Sequence, residues 1–288
     1  MRLDGHIHIH EGPVDPQALR RRMADAGMDG GVLLSLPPSN FKDPGAAAVR
    51  GTEQRLDHLL SWARVEDRLF PFFWIDPIAP DALAQVGAAV RRGVMGFKVI
   101  CDRFPAADER ALQTFQAIAD AGRPMLFHSG ILWDGKPSSG FNHPSAFEAL
   151  LDVRGLRFAL AHIGWPWCDE MIAVYGKFLN AFTTRKDLSV EMFIDTTPGT
   201  PPVYRRDALT KLFTVGYDVE NNVIFGSDCS TDSYNAPWTQ EWLDLDTAIF
   251  YDLGVAASVQ AKIFGGNLRR FLGLSREKVG KKLLRSGE

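Results

Sequence analysis

Short apolar runs alternate with longer amphipathic runs through the first 228 residues of this chain, and few folds accept that order. The short runs are Leu3–Ile9, Gly31–Leu36, Phe70–Asp76, Gly96–Ile100, Pro124–His128, Arg157–His162, Ser189–Asp195 and Asn222–Ser227. They are rich in β-branched and aromatic residues and bounded by Gly, Pro or Asp, as parallel strands buried on both faces tend to be. The longer runs carry helix signals. Asp15-Pro16 ahead of Gln17–Ala26, with Gly27 behind, sets a cap residue, a first-turn proline and a terminating glycine in order. Further helices are predicted over Thr52–Arg64, Ala82–Arg92, Glu109–Ala121, Ala146–Asp152, Asp169–Thr183, Tyr204–Val215 and Thr239–Leu253, with a terminal helical stretch at Ala257–Leu272.

Eight βα units in about 250 residues suit a closed parallel barrel better than a doubly wound sheet. A dinucleotide-binding sheet would need GxGxxG after its first strand, and histidines stand there instead. No repeat or linker divides the chain. The expected architecture is a single-domain (β/α)8 TIM barrel over residues 1–275, followed by a solvated tail at 276–288 that carries Lys281, Lys282 and Arg285.

Composition removes several classes of function. Thirty-two Lys+Arg against 35 Asp+Glu leave a net charge of −3, so no global positive field attracts a nucleic-acid backbone. No apolar run approaches the roughly 20 residues of a membrane helix. Cys101, Cys168 and Cys229 are an odd count without CxxC spacing, which argues against a disulfide scaffold. With a strand-like segment beginning at Leu3, no signal peptide is expected. A soluble, cytoplasmic protein with a small-molecule partner is expected; a homodimer is compatible with the sequence.

In such a barrel, chemistry sits where strands end and βα loops begin. Strand alternation puts His6, His8 and His10 on one face of the first strand, with Ile7 and Ile9 opposite. Three imidazoles on one face are costly to bury without partners, and a divalent metal partners two of them; hydrogen-bonded structural histidines are the alternative. Lys98 interrupts an apolar fourth strand, where it must snorkel or find a compensating group. His128, His162 and Asp228 close the fifth, sixth and eighth strands. Each alone could be a core polar residue; together they converge on one mouth and point to a hydrolytic metal site. His10 lies one pleat beyond the pair, either contacting a ligand or capping its loop. His58 reads as a surface or packing residue, His143 as a helix cap, Cys229 as packing and Asp76-Pro77 as loop geometry. The loops add the rings of Trp133, Phe141, Trp165, Trp167, Tyr234 and Trp238, which either wall a flat apolar pocket with a few polar anchors or pack the loops against one another, while Arg103 or Lys136 could hold a substrate carboxylate.

HxH on strand one, Lys98 on strand four, His128 and His162 on strands five and six, and Asp228 on strand eight resemble the amidohydrolase superfamily of metal-dependent TIM-barrel enzymes. Gly96-Phe97-Lys98, Gly226-Ser227-Asp228 and Ile263-Phe264-Gly265-Gly266-Asn267 are similar to its amidohydrolase-2 branch, which holds lactonases and aromatic-acid decarboxylases. The resemblance implies His6, His8, His128 and Asp228 as metal ligands, joined by His162 and a carboxylated Lys98 if two ions are bound. It implies Zn²⁺, with Mn²⁺, Ni²⁺ or Co²⁺ as alternatives. It further implies hydrolysis of an ester, lactone or amide by metal-activated water, with Asp228 as general base and His162 and Lys98 near the reacting centre. His10, Arg103, Trp133 and Trp165 are the expected substrate contacts. Decarboxylation of an aromatic or unsaturated acid is the alternative reaction. A metal-dependent nuclease would carry Glu where this chain has Lys98.

Overall fold

The computed structural model describes residues 1–38, 41, 51–64, 67–185 and 187–274; the tail expected at 276–288 lies outside them. In chain order the elements are β1 (Leu3–His8), α1 (Pro16–Asp25), β2 (Gly30–Leu34), α2 (Thr52–Ala63), β3 (Leu69–Trp74), α3 (Ala82–Arg91), β4 (Gly96–Val99), α4 (Glu109–Asp120) and β5 (Met125–Phe127). There follow β6 (Arg157–Leu160), α5 (Cys168–Thr184), β7 (Glu191–Asp195), α6 (Pro202–Thr214), β8 (Val223–Ile224), β9 (Cys229–Ser230), α7 (Ala236–Asp252), α8 (Ala257–Ala261) and α9 (Asn267–Phe271).

All strands pair in parallel in the order β8-β7-β6-β5-β4-β3-β2-β1-β9. β8 and β9 are two pieces of one interrupted eighth strand, the first bonded to β7 and the second to β1. Between them Gly5 N donates to Phe225 O at 2.8 Å and Asp228 N to His6 O at 3.0 Å, which closes the cylinder. The chain is a (β/α)8 barrel.

The cap read at Asp15 is present: its carboxylate accepts from Ala18 N at 2.8 Å. Two expectations need correction. The segment before β6 is 3₁₀ rather than α, over Ser139–Asn142 and Pro144–Asp152. The terminal stretch is broken by a π-turn at Lys262–Gly266, whose Ile263 carbonyl accepts from Phe225 N at 3.3 Å instead of continuing a regular helix.

Apolar burial occurs in two layers. Ile7, Leu33, Phe73, Phe97 and Phe127 pack outward against the helices. Leu3, Val32, Phe72 and Phe193 fill the barrel's interior, where Phe271 of α9 joins them with its ring 5.0 Å from that of Phe193. The C-terminal helix thus stops the floor of the barrel and leaves the opposite mouth for chemistry. Between α6 and α7, Arg205 and Asp246 form a fully buried two-pronged ion pair at 2.8 and 2.7 Å.

Candidate metal centre

β1 reaches the mouth through a bulge. Asp4 is opposite Gly31 and Ile7 opposite Leu33, so three steps on β1 match two on β2. Ile7 and Ile9 face the outer core, whereas His6 and His8 turn into the mouth. The bulge is pinned by Asp4, fully buried, which accepts from His6 N at 3.0 Å, Ser227 N at 2.9 Å and Tyr234 OH at 2.9 Å. Burial outweighs these bonds and pushes the Asp4 carboxyl up to about 6.

The interruption of the eighth strand delivers Asp228, whose backbone is left-handed at φ 60°. A side chain at Gly226 would overlap Thr197 Oγ1 and come within 2.7 Å of His6 Cβ, so the close passage of this strand behind His6 demands glycine. Asp228 Oδ1 lies 3.3 Å from His8 Nε2 and 3.6 Å from His6 Nε2. Enclosure opposes its charge, but the contact with His8 and the fields of His6 and His162 prevail and hold the carboxyl far below its usual range.

His6 is held neutral. Burial, then the nearby Lys98 ammonium, brings it down to about 3. Its Nδ1 is 2.9 Å from Asp195 Oδ2 at the end of β7; a carboxylate only accepts, so the ring proton sits on Nδ1 and the Nε2 lone pair faces Asp228. The other Asp195 oxygen accepts from Thr197 N at 2.6 Å and from Thr197 Oγ1.

The donor atoms of His6, His8 and Asp228 all lie within 4.8 Å of one another. Ligand bonds of about 2.0–2.2 Å around a tetrahedral ion imply donor–donor edges of about 3.3–3.6 Å. The two measured nitrogen–oxygen separations fall in that range, and a neutral imidazole with an ionised carboxylate is the right donor chemistry. This trio could hold a divalent ion.

The remaining strand ends surround it. His162 follows β6 in a tight turn with φ 61°, and its Nδ1 donates to Pro198 O at 3.3 Å. A side chain at Gly199 would sit 2.8 Å from His162 Cβ, so glycine lets the seventh loop close over the ring. The His162 ring is 5.3 Å from that of His6 and 4.9 Å from that of His128. Burial lowers the basicity of His162, and burial with His162 and Lys98 lowers that of His128 further. His128 Nε2 donates to Ile131 O at 3.1 Å, and His128 stands outside the trio. Lys98 is 1% exposed, with Nζ 3.5 Å from His6 Nε2, and burial brings it down to about 8. These groups share a cavity of about 320 Å³, walled by Phe41, Ile100, Ile131, Trp133 and Trp165 among others.

The family model described as Amidohydrolase matches residues 3–274. The chain belongs to the amidohydrolase family. Among solved structures it is similar to 2,6-dihydroxybenzoate decarboxylase complexed with 2,6-dihydroxybenzoate, at 15% identity and TM-score 0.63 over 95% of this chain and 98% of that one. It is similar to amidohydrolase 2 from Bifidobacterium longum subsp. infantis at 16% identity and TM-score 0.58, over 95% and 99% of the two chains. It is also similar to dihydroorotase from Campylobacter jejuni, at 16% identity and TM-score 0.57 over 96% and 84%. At these identities the likeness is one of fold. No curated protein matches the sequence.

In this amidohydrolase two expected substrate contacts lie away from the cavity lining. β1 ends at His8, and the exposed His10 ring turns to Asp232, 3.4 Å away. The Arg103 guanidinium is taken by Asp102 at 2.9 Å and by Asp76, so its charge is already answered. Trp133, 81% exposed, and Trp165 do line the mouth. His143 precedes a 3₁₀ helix without capping it; its ring stacks on Trp167 at 3.5 Å and its Nδ1 meets Glu170 at 3.2 Å, tying loops five and six together. Cys229 is buried, and His58 lies on α2. Sequence reading passed over Asp195 and Asp4. Met192-Phe193-Ile194-Asp195 ends an apolar strand on a carboxylate, the same signal that marked Asp228.

Proposed function

We propose that this amidohydrolase is a metal-dependent hydrolase of an ester, lactone or amide bond in a small organic molecule. The observation that carries the reading is the spacing of His6, His8 and Asp228 at the mouth of an aromatic-walled cavity. Bound to that trio, Zn²⁺ (or Mn²⁺, Ni²⁺ or Co²⁺) would supply Lewis acidity towards a carbonyl and make water acidic near neutral pH. Asp228, kept ionised, accepts the proton of the attacking water at its carboxylate and returns it to the leaving group. His162 commits its Nδ1 proton to Pro198 O and so offers the cavity a lone pair at Nε2; it acts first as a proton acceptor and polarises a carbonyl only once protonated. A cavity of about 320 Å³ is at the small end of ligand sites, which favours a compact substrate. The three free cysteines fit a reducing, cytoplasmic setting, and no helix among the described residues is long and apolar enough to cross a membrane.

Decarboxylation of an aromatic acid is a second reading, favoured by one feature: His162 stands outside the trio, so its Nε2, once it has taken up a proton, is free to carry it to carbon as CO₂ departs. The experiment is turnover of ion-loaded protein on lactones, aryl esters and hydroxybenzoates in ¹⁸O-water. Label in the acid product supports hydrolysis; CO₂ release without label moves the assignment to a lyase. His8→Ala and Asp228→Ala are expected to abolish either activity while circular dichroism stays native. Full activity in either variant overturns the metal-dependent reading.

A further inference from the structure

We propose that Asp4 is a positioning residue of the ion site: one of its carboxylate oxygens clasps the segments that carry His6 and Asp228 and so fixes the gap between them. This rests on the metal-dependent reading above. Asp4 is fully buried and lies outside the trio. Its Oδ1 accepts from His6 N at 3.0 Å and from Ser227 N at 2.9 Å. A single atom thus holds the backbone of one ligand and of the residue preceding another. Its Oδ2 accepts from Tyr234 OH at 2.9 Å, so Tyr234, itself buried, braces the carboxylate from behind.

The clasp stands where the sheet's own ladder lapses. In the β1 bulge, Gly5 and His6 pass against Val32 alone, and a bulge leaves its extra residue unpaired. The eighth strand is interrupted over the same stretch, between the end of β8 at Ile224 and the start of β9 at Cys229. Main-chain bonds cross this seam from Gly5 N to Phe225 O and from Asp228 N to His6 O. Between those two bonds, Asp4 Oδ1 does the joining. Ser227 passes the constraint on, since its Oγ accepts from Cys229 N at 3.1 Å, on the far side of Asp228. The gap is exacting: His6 Nε2 and Asp228 Oδ1 are 3.6 Å apart, and a site of this kind has to be held to within about 0.5 Å. An Asp4 with a structural role alone would satisfy two buried N–H groups and affect stability, leaving the ion site as it is.

Asp4→Asn and Asp4→Leu separate the two roles. Both replacements are neutral and close to Asp in size. Asn keeps an oxygen for the two N–H groups, with a Tyr234 hydroxyl able to accept from its Nδ2, and Leu keeps none. Zn²⁺ affinity is measured by chelator competition, the visible spectrum of the Co²⁺-loaded proteins reports ligand geometry, and urea unfolding without ion reports stability. Asp4→Leu is expected to bind Zn²⁺ about 10–100-fold more weakly than Asp4→Asn and to shift the Co²⁺ bands, which Asp4→Asn retains. Equal affinity and equal spectra in the two folded variants overturn the proposal, whatever their stabilities. Loss of the wild-type bands from Asp4→Asn also overturns it, by making charge rather than the clasp decisive. If Asp4→Leu does not fold, Asp4→Glu takes its place, keeping the charge and moving the carboxylate by one methylene; wild-type affinity and spectrum there overturn the proposal too. A wild type that takes up no ion overturns the metal-dependent reading itself, and this inference with it.

Discussion

Asp195 Oδ2 lies 2.9 Å from His6 Nδ1, with both side chains almost wholly buried, and the pair spans 189 positions of sequence. Through that bond β7 decides which nitrogen of a β1 histidine is free. Asp195→Asn removes the charge while keeping the shape, and its amide can leave the histidine in the wrong tautomer. Affinity for the ion is expected to fall about 10–100-fold, read by chelator competition. Unchanged affinity would mean that Asp195 serves only the packing of β7.

His162→Asn separates chemistry from ion binding. The ring is outside the trio, so ion content is expected to stay at the wild-type level while kcat drops about 100-fold or more, the worth of a positioned proton carrier. Loss of a whole equivalent of metal in this variant would instead make His162 a ligand of a second ion.

The buried pair between α6 and α7 is a stability matter. Arg205→Ala leaves Asp246 ionised with no partner in the core, at a cost of about 3–5 kcal/mol in urea unfolding. The double variant Arg205→Met/Asp246→Leu removes both charges and is expected to recover most of that loss. Equal destabilisation in single and double variants would assign the effect to packing around Trp242.

Much of the fold could be read from local pattern, because strand and helix periodicities are short-range. Asp15 was legible as a helix start, and its carboxylate does accept from Ala18 N at 2.8 Å. What stayed hidden depends on partners far away in sequence. Arg103 looked like a free cation until Asp76, 27 positions earlier, folded onto it. His10 continued an alternating run, but β1 ends two residues before it. The strand ends that bear His6, His8, His128, His162 and Asp228 could be nominated singly; only the folded chain separates the trio from His128, whose Nε2 is spent on Ile131 O.

Thiol reactivity gives a pH test. Burial, helped by Asp169, pushes the Cys168 thiol up to about 11, which lowers its thiolate fraction at any pH below that value. Iodoacetamide labelling at pH 8 is expected to run about 100-fold slower than on a free cysteine and to accelerate as pH rises towards 11. Rapid labelling at pH 8, located to Cys168 by peptide mass, would contradict the burial of this thiol.

The eighth strand meets the first through an interrupted edge, and His6, His8 and Asp228 straddle that junction. An ion seated there would be a rivet across the seam where the cylinder closes, so loading and closure would be thermodynamically linked. Its binding would then report on the docking of chain segments more than two hundred residues apart, and chelation would loosen the barrel first along its own closing edge.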